Sequence, residues 1–349
     1  MVKLLIVDDS VFMRTVIRDM VTKDPSIEVV GTASNGVDAL EKILSLEPDL
    51  VTLDIEMPKM TGIQLLEELQ KQRPRHRPKI LMLSSLTSKD AEMTAQAIHL
   101  GADDFMLKPK DIPHVREIGD ELVSKIKHLV TLKSAPVTHT LSSKQGPAER
   151  VVLIGSSAGG PPMLDTLLAE IPADLPAGVI VTQHMPTGFT AALAERFNRI
   201  ASMPVKETEN GDTVETGKIL LSKAGVHTIV SGDIGTNNTR IGRIIHSNTP
   251  PLHAVRPAVD KTFESAAHVY GKNIVSVILS GMGNDAGAGA HTIKEAGGTS
   301  LLCDEKDCLV YGMARSAIQK NAVDKVLPLN KLAREIERLI RQMEEDTHV

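Results

Sequence analysis

Tryptophan is absent from the 349-residue chain, which holds five Phe and two Tyr. Any core must therefore be built from Leu, Ile, Val, Met and Ala, and a hydrophobic content of 42% is enough to build one. Cysteine is nearly absent as well. Cys303 and Cys308 are too few for a disulfide framework, no CxxC or paired Cys/His spacing marks a zinc site, and both read as structurally incidental. There is no basic excess: the net charge is −5, of which residues 151–349 carry about −3. That argues against a nucleic-acid-binding output half, which would show a basic patch. Long apolar runs are also missing. Nothing approaches the ~18 residues that span a bilayer. The N-terminal run Met-Val-Lys-Leu-Leu-Ile-Val is closed by Asp8 and Asp9, too soon for a signal peptide. A cytoplasmic location is the expectation.

The length exceeds one ordinary core and fits two domains of roughly 100–200 residues each. Over 1–130, short β-branched apolar stretches at 3–7, 28–33, 50–53, 80–83 and 104–107 alternate with helical patterns such as 36–46, 62–72 and 112–132. Five strands joined by helical crossovers imply a doubly wound parallel sheet, flavodoxin-like in class. Residues 131–150, rich in Ser, Thr, Pro and Gln without periodicity, read as an interdomain linker. Alternation resumes over 151–349. Strands are expected at 151–154, 178–182, 218–221, 274–279 and 299–302, an antiparallel hairpin at 226–231 and 240–246, and an amphipathic helix at 331–345. This second half is expected to be a mainly parallel α/β sheet carrying the hairpin.

Ligands of such sheets bind at the carboxyl ends of the strands. In the first half Asp8, Asp9, Asp54, Ser84 and Lys108 all close apolar runs there. A carboxylate accepts a phosphoryl group only when its charge is offset, by Mg2+ held on neighbouring acids and by a Lys and a hydroxyl on the phosphoryl oxygens. Asp54 is the expected acceptor. Asp9 and Asp54 would hold Mg2+ directly, Asp8 through water, and the Glu56 carbonyl would be a third protein ligand. Singly, Asp8 and Asp9 could merely cap a helix from Ser10, and Lys108 could be a surface charge. Five such residues around one rim argue otherwise. Through LLIVDDS, LDIEMPKMTG, MLSS and LKP, residues 1–130 resemble a receiver domain of two-component signalling. The resemblance implies that Phe105 is the aromatic position that reports on phosphorylation.

The second half holds Gly155-Ser-Ser157-Ala-Gly159-Gly160 after its first strand, a GxSxG pattern that fits a nucleophile elbow. From the loop alone, a phosphate-binding loop or a plain tight turn is the commoner alternative. The Walker Lys-Ser/Thr and the dinucleotide glycine spacing are both missing. Among the 12 histidines, His184 stands out at a strand end, although His227, His246, His253, His268 and His291 stay open on sequence logic. Asp285 follows a strongly apolar strand, where a carboxylate needs a partner such as an imidazole or else caps the next helix. Ser157, His184 and Asp285 at one rim favour a triad. Its Ser…His…Asp order differs from the Ser…Asp…His order of α/β-hydrolases.

Through IGSSAGG, TQHMPTGFT, HAVRPAVD and LSGMGND, residues 151–327 resemble the catalytic domain of the chemotaxis protein-glutamate methylesterases, whose architecture is receiver, linker and esterase. The resemblance implies a Ser157–His184–Asp285 triad with the Ala158 and Met282 N–H groups as oxyanion donors. It also implies phosphorylation-activated hydrolysis of glutamate γ-methyl esters and deamidation of glutamines on methyl-accepting chemoreceptors. A chemotaxis histidine kinase would be the phosphoryl donor, and the esterase chemistry would need no cofactor. Family loops often read Ala-Ser-Thr where this chain has Ser156-Ser157-Ala158, so Ser156 is a second hydroxyl beside the expected nucleophile.

Overall fold

The computed structural model of the chain describes residues 1–72, 74–85, 88–108, 115–131, 146–234 and 240–346. The chain divides into two compact units, Met1–Ser134 and Ala135–Val349. Most of the expected linker lies outside the described residues, as does Pro109 after Lys108.

In the first unit β1 (Val2–Val7), α1 (Val11–Val21), β2 (Ile27–Ala33), α2 (Gly36–Leu46), β3 (Leu50–Asp54), α3 (Gly62–Gln72), β4 (Lys79–Ser84), α4 (Ser88–His99), β5 (Asp104–Leu107) and α5 (Val115–Thr131) alternate along the chain. The sheet order is β2-β1-β3-β4-β5, and every pairing is parallel. The five expected strands are all present, each within one residue of its reading at either end. Of the helix expected over 112–132, Val115–Thr131 is seen, and Ile112 and Leu132 lie outside the described residues. Strands β1, β3 and β4 are apolar on both faces because helices cover both sides. On one side Leu4, Ile6, Leu50, Leu81 and Met106 pack with Ile17 and Met20 of α1 and with Leu122 and Ile126 of α5. Helix starts follow local chemistry: the Ser10 hydroxyl caps α1 by accepting from Met13 N, and Asn35 caps α2 by accepting from Val37 N and Asp38 N.

The second unit runs β6 (Val151–Ser156), α6 (Gly160–Glu170), β7 (Gly178–Gln183), α7 (Phe189–Asn198), β8 (Val205–Glu207), β9 (Ile219–Leu221), β10 (His227–Ile234), β11 (Arg240–Ser247), α8 (Val259–Tyr270), β12 (Ile274–Ile278), α9 (Gly287–Glu295), β13 (Thr299–Cys303), α10 (Gly312–Gln319), β14 (Lys325–Leu327) and α11 (Leu329–Glu345). A seven-stranded parallel sheet has the order β14-β13-β12-β6-β7-β9-β8, and β10–β11 form a separate antiparallel hairpin. The edge strands β8 and β14, three residues each, were not expected. They are too short and too charged to show strand periodicity, which is how exposed edges are blunted. The aromatic-poor core centres on Phe263 of α8, packed with Val151, Leu153, Ile274, Ile278, Ala290 and Ile293. Helix α11 buries the stripe Leu332, Ala333, Ile336 and Ile340 and packs against α6. Both cysteines are free, and Cys303 is buried at the end of β13.

Strands β12, β6 and β7 are neighbours in mid-sheet, with β6 between the other two. Whatever follows their carboxyl ends is therefore brought together over one edge of the sheet. In the first unit β1 and β3 do the same.

Candidate active sites

At the first rim the chain leaving β1 carries Asp8, fully buried, and Asp9, exposed. Arg14 of α1 reaches back, its guanidinium donating to the Asp8 carbonyl at 2.6 Å and the Asp9 carbonyl at 3.0 Å. Asp54 ends β3 and is 6% exposed. The bend after it is possible because Gly62 lies against it: a Cβ there would stand 2.3 Å from the Asp54 carbonyl oxygen. One oxygen from each of Asp8, Asp9 and Asp54 lies within 4.8 Å of the others. Lys108 reaches in from the end of β5, its Nζ 2.7 Å from Asp54 Oδ1 and 2.9 Å from Asp8 Oδ2. The Asp8 contact is an ion pair without hydrogen-bond geometry.

Burial pushes the Asp54 carboxyl up to about 6; Lys108 opposes this, and the Asp8 and Asp9 charges add to it. Desolvation works against the Lys108 ammonium, yet its contacts with Asp54 and Asp8 leave it above the ordinary lysine range. One ammonium among three carboxylates leaves an excess of negative charge on an all-oxygen donor set. That is the chemistry Mg2+ fits. Ser84, buried at the end of β4, accepts from the Thr94 hydroxyl at 3.0 Å and donates to the Ser85 carbonyl at 3.3 Å. Phe105 is buried on β5 opposite Met82. Glu56 sits in the exposed bend just past β3.

At the second rim, β6 and β7 pair Ser156 with Gln183, so Ser157 and His184 leave the sheet side by side. His184 N donates to the Ser156 carbonyl at 3.0 Å, and Ser157 N donates to the Ser280 carbonyl, after β12, at 2.9 Å. Gly159, at φ 75°, turns the chain into α6. Gly160 could not carry a side chain, since its Cβ would lie 2.3 Å from Gln183 Oε1. Ser280 Oγ, donating to the Ala158 carbonyl at 2.7 Å, ties the β12 loop to the serine loop. Met282 follows in that loop with its side chain largely exposed.

His184 Nε2 lies 2.7 Å from Asp285 Oδ2 across 101 residues of sequence. Asp285, 1% exposed, also accepts from Val259 N at 2.6 Å and from Asp260 N at 2.8 Å. The cap Asp285 provides is thus mainly for α8, whose own N-cap residue Ala258 offers no side-chain bond. Ala286 N, before α9, donates to the same carboxylate at 2.9 Å. Burial would raise the Asp285 carboxyl, but the His184 bond and the α8 N–H donors outweigh it and hold it below the ordinary carboxylate range. Asp285 therefore stays ionised next to the imidazole. A groove of about 340 Å³ opens beside His184, lined also by Met185, Pro186, Thr187, Ala254, Val255 and Arg256.

The Ser156 ambiguity has a geometric answer. Ser156 is fully buried with its hydroxyl donated to Gln183 Oε1 at 2.6 Å, whereas Ser157 is partly exposed at the turn. Of the other histidines, His227 is buried and hydrogen-bonded to the Pro250 carbonyl and Ala258 N, and His246 to Thr208. His268 bonds the Glu264 carbonyl within its own helix, and His291 lies near Glu295 on α9. Among these histidines His253 stands close to Asp285, beside Asp260.

Known proteins align with both units. The model of the receiver domain of response regulators matches residues 4–118, and that of the CheB methylesterases matches 152–336. The chain belongs to the CheB methylesterase family. It is 55% identical over 344 residues to a protein-glutamate methylesterase/protein-glutamine glutaminase of Methanospirillum hungatei, covering 98% of this chain and 99% of that one. A protein of the same description from Pyrococcus horikoshii is 37% identical, covering 95% of this chain and 91% of that one. The crystal structure of the Thermotoga maritima CheB methylesterase catalytic domain aligns with a TM-score of 0.52 at 36% identity, covering 54% of this chain and 98% of that domain.

Two features escaped the sequence reading. Gln183 is a brace: besides accepting from Ser156, its amide donates to the Ser157 carbonyl and the His184 carbonyl, both at 2.9 Å. A polar residue at the carboxyl end of an otherwise apolar strand was the available signal. The second is the pairing of His253 with Asp260 at 2.9 Å, which sequence spacing within a loop does not show.

Proposed function

We propose that the chain is a receiver-regulated serine esterase that hydrolyses glutamate γ-methyl esters on chemoreceptors and, by the same chemistry, deamidates glutamines there. The observation that carries this reading is the His184–Asp285 bond set beside the Ser157 turn at the centre of one sheet. Asp285 accepts from His184 Nε2–H and so fixes the tautomer, leaving Nδ1 to take the Ser157 proton. Ser157 Oγ attacks the ester carbonyl, and the Ala158 and Met282 N–H groups receive the oxyanion. Collapse expels methanol, which takes the proton from His184. Water, activated by the same imidazole, then releases the glutamate side chain and restores Ser157. With an amide substrate ammonia leaves instead.

In the regulatory unit (1–130, before the 131–150 linker and the 151–349 esterase) Asp54 is the phosphoryl acceptor. Asp9, Asp54 and the Glu56 carbonyl would hold Mg2+, with Asp8 reaching it through water; when bound it supplies the positive charge the buried carboxylates lack. Lys108 and Ser84 bind the phosphoryl oxygens, and Phe105 responds to the movement of Ser84. A chemotaxis histidine kinase is the donor. No helix among the described residues is long and apolar enough to cross a membrane, which supports a cytoplasmic enzyme acting on the receptors' cytoplasmic helices. Synthetic receptor helices carrying a glutamyl methyl ester or a glutamine test the reading by mass spectrometry. Conversion of both to glutamate, lost in Ser157→Ala, is expected. Unchanged helices would leave a binding module, with the Gly155–Gly160 loop holding a ligand.

A further inference from the structure

Beside the His184–Asp285 pair the structure holds another imidazole and another buried carboxylate. His253 Nε2 lies 2.9 Å from Asp260 Oδ2, and Asp260, on the first turn of α8, is 1% exposed. Asp260 Oδ1 accepts from Gly289 N of α9 at 2.7 Å. One ligand atom each from His253, Asp260 and Asp285 lies within 4.8 Å of the other two. The two carboxylates are thus buried neighbours, and each has its own imidazole. The loop that delivers His253 is held out of ordinary backbone geometry, with φ 54° at His253 and 62° at Ala254. Neither residue is glycine, and such strain persists only where surrounding contacts enforce it. Ala254, Val255 and Arg256 of the same loop wall the groove beside His184.

We propose that His253 and Asp260 form a positioning pair that fixes the groove wall and sets the pH range over which His184 serves as base. The inference rests on the Ser157–His184–Asp285 assignment. Asp260 does not touch the reacting atoms; it acts through Asp285, whose Oδ1 accepts from the Asp260 N–H. A negative charge next to Asp285 adds to the field that stabilises the His184 imidazolium. Burial, with Asp285 adding to it, raises the Asp260 carboxyl, while the Gly289 N–H and His253 resist that rise. Among the described residues, Glu264 of α8 feels the Asp260 and Asp285 charges and is itself countered by Lys261 and His268, and Arg256 lines the groove. Burial and the Asp260 charge likewise push Glu264 up.

The test is the pH dependence of Ser157 inactivation by a fluorophosphonate in the full chain, with labelling of Ser157 checked by mass spectrometry. This reads His184 basicity without the physiological substrate. In Asp260→Asn the amide oxygen can keep the Gly289 contact, the charge is lost, and the group facing His253 Nε2 turns from acceptor to donor. The midpoint of the acid limb is expected to fall by about one pH unit, the size of effect of removing one nearby opposite charge in a partly desolvated site. A slower reaction at every pH with an unmoved midpoint is what a merely structural role gives, and it would overturn the proposal. Should Asp260→Asn fail to fold, His253→Gln is assayed in the same way; a displaced midpoint is expected, and a midpoint equal to that of the wild type would overturn the proposal. No labelling of Ser157 in the wild type would remove the triad assignment itself, so the two failures are distinguishable.

Discussion

Replacing Asp54 by Asn should make the first unit more stable at neutral pH when divalent metal is removed, although it destroys the phosphorylation site. Burial, with Asp8 and Asp9 nearby, pushes the Asp54 carboxyl from 3.8 up to about 6, Lys108 notwithstanding. A folded-state value above the unfolded one means the folded form holds its proton more tightly. The stabilisation is complete below 3.8, is lost as pH rises through about 6, and is gone at pH 7.5. About 2 pH units at 1.36 kcal/mol each put the loss at roughly 3 kcal/mol. Asparagine mimics the protonated form, so Asp54→Asn should recover about 2–3 kcal/mol at pH 7.5. In a unit of this size that is roughly 10 °C in Tm. Urea unfolding in chelator, read on the receiver transition, provides the assay. The gap between variant and wild type should close as pH approaches 4, and millimolar Mg2+ should stabilise the wild type far more than the variant. A wild type as stable as Asp54→Asn at pH 7.5 in chelator would refute the electrostatic reasoning.

Other substitutions separate the roles in the second unit. Ser157→Ala should abolish ester hydrolysis, a loss of at least about 10³-fold in kcat, whereas Ser156→Ala should stay within about 10-fold and cost about 1–2 kcal/mol for the orphaned Gln183 oxygen. Gln183→Leu strands the Ser157 and His184 carbonyls and the Ser156 hydroxyl; urea melts should show a loss of about 2–4 kcal/mol, and kinetics a fall in kcat larger than any rise in KM. Asp285→Asn should lower kcat by about 10⁴-fold. Because the Asp285 carboxyl is held below its ordinary 3.8, its contribution to stability is present above that value and lost as pH falls below it. Acid unfolding of the wild type and of Asp285→Asn should therefore converge at low pH. Phe263→Ala, at the centre of the second core, should cost about 3–5 kcal/mol in the same melts.

The sheets were legible because buried parallel strands are apolar almost throughout, so runs such as Leu4–Val7 and Val151–Ile154 stand out without any periodicity. Most site residues were legible for a related reason: Asp8, Asp54, Ser84, Lys108, Ser157 and His184 are polar groups at or just past the end of such a run, and topology gathers those ends. What the sequence could not show depends on contacts between segments far apart. The Asp285 carboxylate caps α8, a helix that precedes it in the chain, because Ala258 offers no cap of its own. The bland reading, a cap for the following helix, accounts for one of its bonds, that from Ala286 N. Likewise, the choice between Ser156 and Ser157 needed strand register, which places Ser156 opposite Gln183 and inside the protein. The edge strands β8 and β14 escaped notice because three residues with a charge among them carry no period.

Asp54 as the switch of a Ser157 esterase is the reading by which both sites stand or fall. Methanol release from methylated receptor membranes tests it most directly, measured for wild type, Ser157→Ala and Asp54→Ala with and without acetyl phosphate. Release that requires Ser157, rises with acetyl phosphate in the wild type and fails to rise in Asp54→Ala is the predicted result. Methanol released by Ser157→Ala at the wild-type rate, or none from the phosphorylated wild type, would contradict it.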